Sequence, residues 1–233
     1  MNSFKGSITF YAEWIVPRIP STPEDTTASV VVWIGIGGGG GGYLRDQPAI
    51  RNVIQIGTGA NYLLGDPNYF AWWETYGMPT DKGEANPIDS NQYPIYPGDK
   101  IEASINMQNS QGIWKMTLNN VTQKWPTAYV NTVNYTGDQT TAEFIVEAPQ
   151  IKDNNGNLIP KPLPNYGKVT FDNCRVNGQN ANFDFGDIGD PKNPKKKYQE
   201  LADQIFLEML LMETGFSLPM GIYIQALQPH LYC

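Results

Sequence analysis

The chain has 233 residues, of which only 17% are charged, with a formal net charge of −7 and a pI near 4.7. This length is enough to bury one substantial core. The acidic balance argues against a nucleic-acid partner. No apolar run reaches the roughly 18 residues that a membrane-spanning helix needs, so no membrane span is predicted.

Histidine and cysteine are too scarce for several kinds of active site. The one histidine, His230, lies near the end of the chain, which argues against a Ser-His-Asp or Cys-His centre and against a histidine-based zinc site. Cys174 and Cys233 lack the spacing of metal ligands, and both a disulfide and two reduced thiols stay open. We therefore expect no metal and no cofactor.

Strand signals recur from the beginning of the chain. They cover residues 7–16, 28–36, 52–56, 69–76, 99–108, 113–118, 141–146 and 168–176. Each run is rich in β-branched or aromatic residues, and turns rich in Gly, Pro, Asn and Asp separate the runs. No amphipathic helix is predicted before residue 195. The pattern predicts an all-β fold, an antiparallel β-sandwich of two packed, concanavalin-like sheets.

The glycine run at 35–42 contains a G-x-G-x-x-G spacing, but this spacing arises in any glycine run. A dinucleotide site needs a helix directly after such a loop and a βαβ context. Residues 43–48 (YLRDQP) have no helical pattern, so we interpret the run as a flexible loop, with a position over a cleft as one option.

The composition changes near residue 187. Residues 190–197 (DPKNPKKK) resemble a linker, and residues 198–214 show the one helix-like pattern, with an apolar face that runs nearly all the way round. We therefore predict a β-sandwich domain over residues 1–190 and a linker with a helical C-terminal extension over 191–233. A helix docked on the sandwich is favoured over a partner-binding or oligomerising helix.

Two polar residues lie within predicted strands, Gln55 in NVIQIGTG (52–59) and Glu147 in AEFIVEAP (142–149). Period-two alternation places Gln55 on the same side as Val53 and Gly57, and Glu147 on the same side as Glu143. On spacing alone, such residues are more often the polar, solvent-facing side of a sheet than a catalytic pair.

Six short segments, in order, resemble the eqolisin family of glutamic peptidases, in a bacterial-type version. They are WIVP (14–17), WIGIGG (33–38), IQIGT (54–58), YFAWWE (69–74), GDKI (98–101) and AEFIVE (142–147). The resemblance covers about residues 4–176. It implies an acid endopeptidase in which a glutamate activates water and a glutamine stabilises the oxyanion, with no cofactor and with polypeptides as substrates.

Carried over by position, the resemblance makes Gln55 and Glu147 the catalytic residues, with Glu143 as the alternative glutamate. It places Trp33, Tyr69, Trp72 and Glu74 in the substrate cleft. Glu13 lies in a similar segment, AEWIV (12–16), but in the first strand, where no catalytic residue is expected.

Two departures from fungal members remove acidic residues near the expected site, since Gly37 and Phe70 occupy those positions. They leave open a second interpretation, a catalytically inactive β-sandwich that binds carbohydrate or protein. For the active form, we expect a secreted protein with a moderately acidic pH optimum. Its leader or pro-segment is expected to be absent from this sequence, because residues 1–6 are polar.

Overall fold

The computed structural model describes residues 8–22, 26–37, 52–79, 85–137, 139, 141–156 and 158–180, together with three short strands within 207–232. The strands in chain order are β1 (Thr9–Ile15), β2 (Ser29–Gly37), β3 (Val53–Leu63), β4 (Asp66–Tyr76), β5 (Asn86–Pro87), β6 (Lys100–Met107), β7 (Ile113–Asn120), β8 (Tyr129–Asn134), β9 (Thr141–Glu147), β10 (Gln150–Lys152), β11 (Leu158–Pro160), β12 (Val169–Val176), β13 (Gln179–Asn180), β14 (Leu207–Leu211), β15 (Gly221–Ala226) and β16 (Leu231–Tyr232).

The strands form two large sheets and a small hairpin. The first sheet has the order β13-β12-β1-β6-β7-β8, with β16 also paired to β12, and the second has the order β14-β15-β9-β2-β3-β4-β5. The hairpin is β10-β11. Pairing is antiparallel except where β15 meets β9 and β16 meets β12. The predicted antiparallel β-sandwich is confirmed.

Alternating side chains from both sheets fill the space between them. Phe10 of β1 meets Phe144 of β9 with ring centroids 4.6 Å apart, and Phe171 of β12 lies 5.8 Å from Phe144. A polar contact also crosses the core, because the indole Nε1 of Trp14 donates to Thr58 Oγ1 at 3.0 Å. Since these inward side chains occupy one parity of each strand, the other parity forms the outer faces of the sandwich.

The C-terminal region differs from the prediction where it is described. Residues 207–211 lie inside the predicted helix 198–214 but form β14, which pairs with β15. A short apolar run cannot be assigned to helix or strand by periodicity alone, and pairing with a neighbour decides it here. The rest of the predicted helix lies outside the described residues, and none of the described residues forms a helix able to cross a membrane.

The outer face of the first sheet carries a buried carboxylate, Glu13, on β1. Its Oε1 accepts hydrogen bonds from the Tyr11 hydroxyl at 2.7 Å and from Asn173 Nδ2 at 2.9 Å, and its Oε2 lies 2.6 Å from Lys100 Nζ. All three partners belong to the same sheet. The similarity of AEWIV to the β9 segment is therefore local, and Glu13 lies on a different sheet from Gln55.

Replacing Glu13 with Gln is expected to make the free energy of unfolding less dependent on pH in the acidic range. Burial raises the pKa of Glu13, but hydrogen bonds from Lys100, Tyr11 and Asn173 outweigh it and hold the pKa below the ordinary value of 4.5. A lowered folded-state pKa stabilises the fold above the unfolded-state pKa, and this stabilisation is lost as the pH falls through the folded-state pKa. The substitution should therefore lower the free energy of unfolding by about 1–2 kcal/mol at neutral pH. At a pH far below 4.5 the difference between the two proteins should be smaller.

Urea unfolding of both proteins at neutral pH and in acid below the Glu13 pKa tests this expectation. An equal difference in unfolding free energy at the two pH values would show that the Glu13 charge does not stabilise the fold.

Candidate active site

The outer face of the second sheet is organised as three parallel rows of side chains across β9, β2, β3 and β4. Strand pairing defines each row, and successive rows lie two residues apart along every strand. The polar row contains Glu143, Gly35, Gln55 and Glu74. The aromatic row contains Ile145, Trp33, Gly57 and Trp72. The third row contains Glu147, Val31, Gly59 and Phe70.

The polar row brings a carboxylate and a carboxamide to the two sides of one glycine. Gly35 pairs with Glu143 of β9 on one side and with Gln55 of β3 on the other. Two strand spacings separate Glu143 from Gln55, about 10 Å between their Cα atoms. Gly35 itself places no side chain between these two residues, and the ring of Trp33 lies over it instead. Both are buried, with Glu143 4% and Gln55 7% exposed.

The Trp33 ring covers Gly35, the glycine that separates Glu143 from Gln55 in the polar row. A Cβ atom placed on Gly35 would lie 2.5 Å from Cζ3 of Trp33 and 3.1 Å from Cγ2 of Val53. At Gly57 the close neighbours belong to the β2 backbone and its first side-chain carbon, since a Cβ there would meet the Val32 carbonyl oxygen and lie 2.6 Å from Cβ of Trp33. Glycine at 35 therefore allows the indole to lie against the sheet, and glycine at 57 allows β3 to lie close to β2.

The structure does not bring Gln55 and Glu147 together as predicted. Glu147 pairs with Val31, whereas Gln55 pairs with Gly35, four residues further along β2. At about 3.4 Å per residue, this places Glu147 about 13 Å from the polar row along the strand direction. The two residues share a face, but the aromatic row lies between them.

Glu147 instead contacts the tryptophan that separates it from the polar row. The indole Nε1 of Trp33 donates to Glu147 Oε2 at 3.0 Å. Burial raises the pKa of Glu147, and the hydrogen bond from Trp33 only partly opposes this. Such a carboxyl keeps its proton to a higher pH than an ordinary glutamate.

Gln55 is held on its other side by Glu74. The Gln55 Nε2 donates to Glu74 Oε2 at 2.6 Å, and the two residues are directly paired between β3 and β4. Among the described residues, the buried Gln55 Oε1 has no hydrogen-bond partner, and the same holds for the indole Nε1 of Trp72. Such an acceptor and donor cost free energy unless another group, a ligand or water pairs with them.

An apolar cluster surrounds the polar row. It is formed by Val31, Trp33, Val53, Trp72 and Ile145, with Phe70 packed against it. This cluster is separate from the interior core. The outer face therefore combines apolar surface with a few convergent polar atoms, as ligand-binding sites do.

Of the four residues predicted to line the cleft, three lie on this face, namely Trp33, Trp72 and Glu74. Tyr69 lies on the opposite face, because it pairs with Ala60 and packs against the interior core, with its hydroxyl accepting a hydrogen bond from Ile19 N at 3.0 Å. Trp73 also packs against the interior core. Alternation along β4 separates these side chains.

Two features of the site were not predicted from the sequence: the position of Gly35 between Glu143 and Gln55, and the contact between Glu74 and Gln55. Both follow from the strand register, which the sequence does not reveal. In the part of the chain that the structure describes, no group of three or more His, Cys, Asp or Glu residues could hold a metal ion.

The chain also matches a known protein family, in addition to having a carboxylate and a carboxamide on the outer face of a two-sheet sandwich. The Peptidase A4 family matches residues 4–193. The chain belongs to this family and is therefore a peptidase, of the glutamic peptidase group. No curated protein sequence matches the chain.

Solved structures of glutamic peptidases share the fold. The chain is similar to scytalido-glutamic peptidase bound to a transition-state analogue inhibitor, with 24% identity, a TM-score of 0.54, and coverage of 74% of this chain and 79% of that one. It is also similar to SCP-B, an eqolisin family peptidase in complex with the tripeptide Ala-Ile-His, with 24% identity, a TM-score of 0.51, and coverage of 75% and 78%. At this level of identity, the likeness establishes the fold alone.

Proposed function

We propose that the chain is an acid endopeptidase in which Glu143 and Gln55 carry out the reaction. The observation that carries this proposal is the double pairing of Gly35, with Glu143 on one side and Gln55 on the other. Of the two glutamates considered from the sequence, we favour Glu143, the alternative, over Glu147, because Glu147 lies in a different row and accepts a hydrogen bond from Trp33.

In this mechanism, ionised Glu143 accepts a proton from a water molecule, and the water oxygen attacks the carbonyl carbon of the scissile peptide bond. The carbonyl oxygen becomes an oxyanion. The second N–H of the Gln55 amide, the one not used by Glu74, donates to this oxyanion. Protonated Glu143 then gives its proton to the leaving nitrogen, the C–N bond breaks, and a carboxylic acid and an amine are released.

The surroundings of the pair are compatible with a peptide ligand. The unpartnered Trp72 Nε1 is a donor and the unpartnered Gln55 Oε1 is an acceptor, and a peptide unit offers one group of each kind. The apolar cluster around them suits hydrophobic side chains. By contrast, Trp33 and Trp72 are each only 4% exposed, which leaves little aromatic surface for stacking on a sugar.

An assay on denatured casein, in buffers spanning acid to neutral pH, tests the proposal. We expect cleavage with a maximum at about pH 3–5, because the reaction needs an ionised carboxylate as base and a proton for the leaving nitrogen. Pepstatin and EDTA should have no effect, because the mechanism uses neither an aspartate dyad nor a metal. The Glu13→Gln variant is the matched control and should cleave as the wild type does.

The absence of cleavage across the whole range, with circular dichroism showing a folded protein, would contradict the proposal. Binding of oligosaccharides by such an inactive protein would favour the second interpretation made from the sequence.

A further inference from the structure

The contact between Gln55 and Glu74 determines which end of the carboxamide is held. The two residues pair directly between β3 and β4, and Nε2 lies 2.6 Å from Glu74 Oε2. Gln55 and Glu74 are both buried, at 7% and 9% exposure. A short, buried hydrogen bond to a carboxylate is among the strongest that a side-chain amide can make.

An ionised carboxylate accepts hydrogen bonds and cannot donate them. Turning the Gln55 amide by half a rotation would place Oε1 against Glu74 Oε2, two acceptors at a distance where they repel. With Nε2 held by Glu74, Oε1 takes the other direction, where none of the residues that the structure describes bonds to it. One N–H of Nε2 also remains outside the contact with Glu74.

We propose that Glu74 is a positioning residue, which fixes the Gln55 amide in the one orientation that offers an N–H to the oxyanion. This inference rests on the proposed function of Gln55. It differs from the prediction made from the sequence, in which Glu74 binds the substrate. A positioning role affects the chemical step, whereas substrate binding affects mainly KM.

The Glu74→Gln variant separates the two roles. A glutamine at this position can accept from Gln55 Nε2 or donate to Gln55 Oε1, so it no longer selects one orientation. The charge-assisted hydrogen bond also becomes a neutral one, which is about half as strong. We expect kcat to fall about tenfold, which corresponds to about 1.4 kcal/mol, while KM changes by less than about twofold. A rise in KM with kcat unchanged would overturn the inference in favour of substrate binding.

Nitrogen-15 NMR on the wild-type protein gives a readout that does not depend on activity or on the folding of a variant. The side-chain amide signal of Gln55 is assigned by its loss in Gln55→Ala. We expect one of its two protons to be shifted downfield and to exchange slowly with water, because it is bonded to Glu74. Two equivalent, rapidly exchanging protons would overturn the inference.

Parallel assays of Gln55→Ala and Glu143→Gln distinguish failure of this inference from failure of the proposed function. If both variants keep wild-type kcat, the proposed function is wrong. The proposal that Glu74 positions Gln55 for catalysis is then wrong as well. If both lose activity while Glu74→Gln keeps wild-type kcat, the positioning role alone is wrong. Glu13→Gln is again the control with a substituted buried glutamate outside the site.

Discussion

Replacing Glu143 with Gln is expected to lower kcat for peptide hydrolysis by about 10³- to 10⁴-fold, toward the upper end of what general acid–base catalysis contributes. A carboxamide cannot take a proton from water, and it cannot return one to the leaving nitrogen, so both roles of Glu143 are lost together. The side chain keeps its size, and KM should change little. Steady-state kinetics on a fluorogenic peptide provide the measurement.

The Glu147→Gln variant is the matched control, because the two glutamates lie on the same strand and the same face. Its amide oxygen can still accept the hydrogen bond from Trp33 Nε1. We expect kcat to fall by no more than about fivefold, about 1 kcal/mol for a weakened hydrogen bond. A large loss in Glu147→Gln with little loss in Glu143→Gln would restore the pair predicted from the sequence.

Replacing Gln55 with Met is expected to lower kcat by about 10²- to 10³-fold, the usual effect of removing one oxyanion donor. Methionine is unbranched and similar in length to glutamine, so it fills much of the same space without an N–H. Substrate binding should be less affected than kcat, because the N–H pairs with the charge that develops only in the transition state. The same kinetic assay measures both parameters.

Gln55→Met also removes the partner of Glu74, so stability must be followed in parallel. Urea unfolding should show a folded, cooperative protein. Wild-type kcat in a folded Gln55→Met variant would exclude the carboxamide from the reaction.

Side-chain direction along single strands could be predicted from the sequence, because it depends only on local alternation. The placement of Gln55 with Gly57 and of Glu143 with Glu147 is confirmed on the outer face of the second sheet. Trp72 and Trp73 likewise take opposite faces of β4.

The choice between Glu143 and Glu147 could not be made from local pattern. Both residues have the same parity on β9, so both satisfy the alternation rule equally. Which of them shares a row with Gln55 depends on how β9 and β3 are each aligned against β2, a relation between segments far apart in the chain. The double pairing of Gly35 supplies this information.

The length of β3 also depends on packing between strands, and the sequence pattern underestimated it. The sequence pattern predicted a strand over 52–56, whereas β3 extends through Val53–Leu63. Glycine is disfavoured in strands by propensity, yet a side chain on Gly59 would collide with the ring of Phe70, and one on Gly57 would collide with the Val32 carbonyl oxygen and Cβ of Trp33. Close packing therefore overrides local propensity at these two positions.

A high-resolution crystal structure of the wild-type protein would test whether Glu143 and Gln55 share a single water molecule. We expect an ordered water within about 3.2 Å of both the Glu143 carboxylate and the Gln55 carboxamide, the distance of a good hydrogen bond. A water shared instead by Gln55 and Glu147, or a Glu143 side chain directed away from Gln55, would contradict the proposed mechanism.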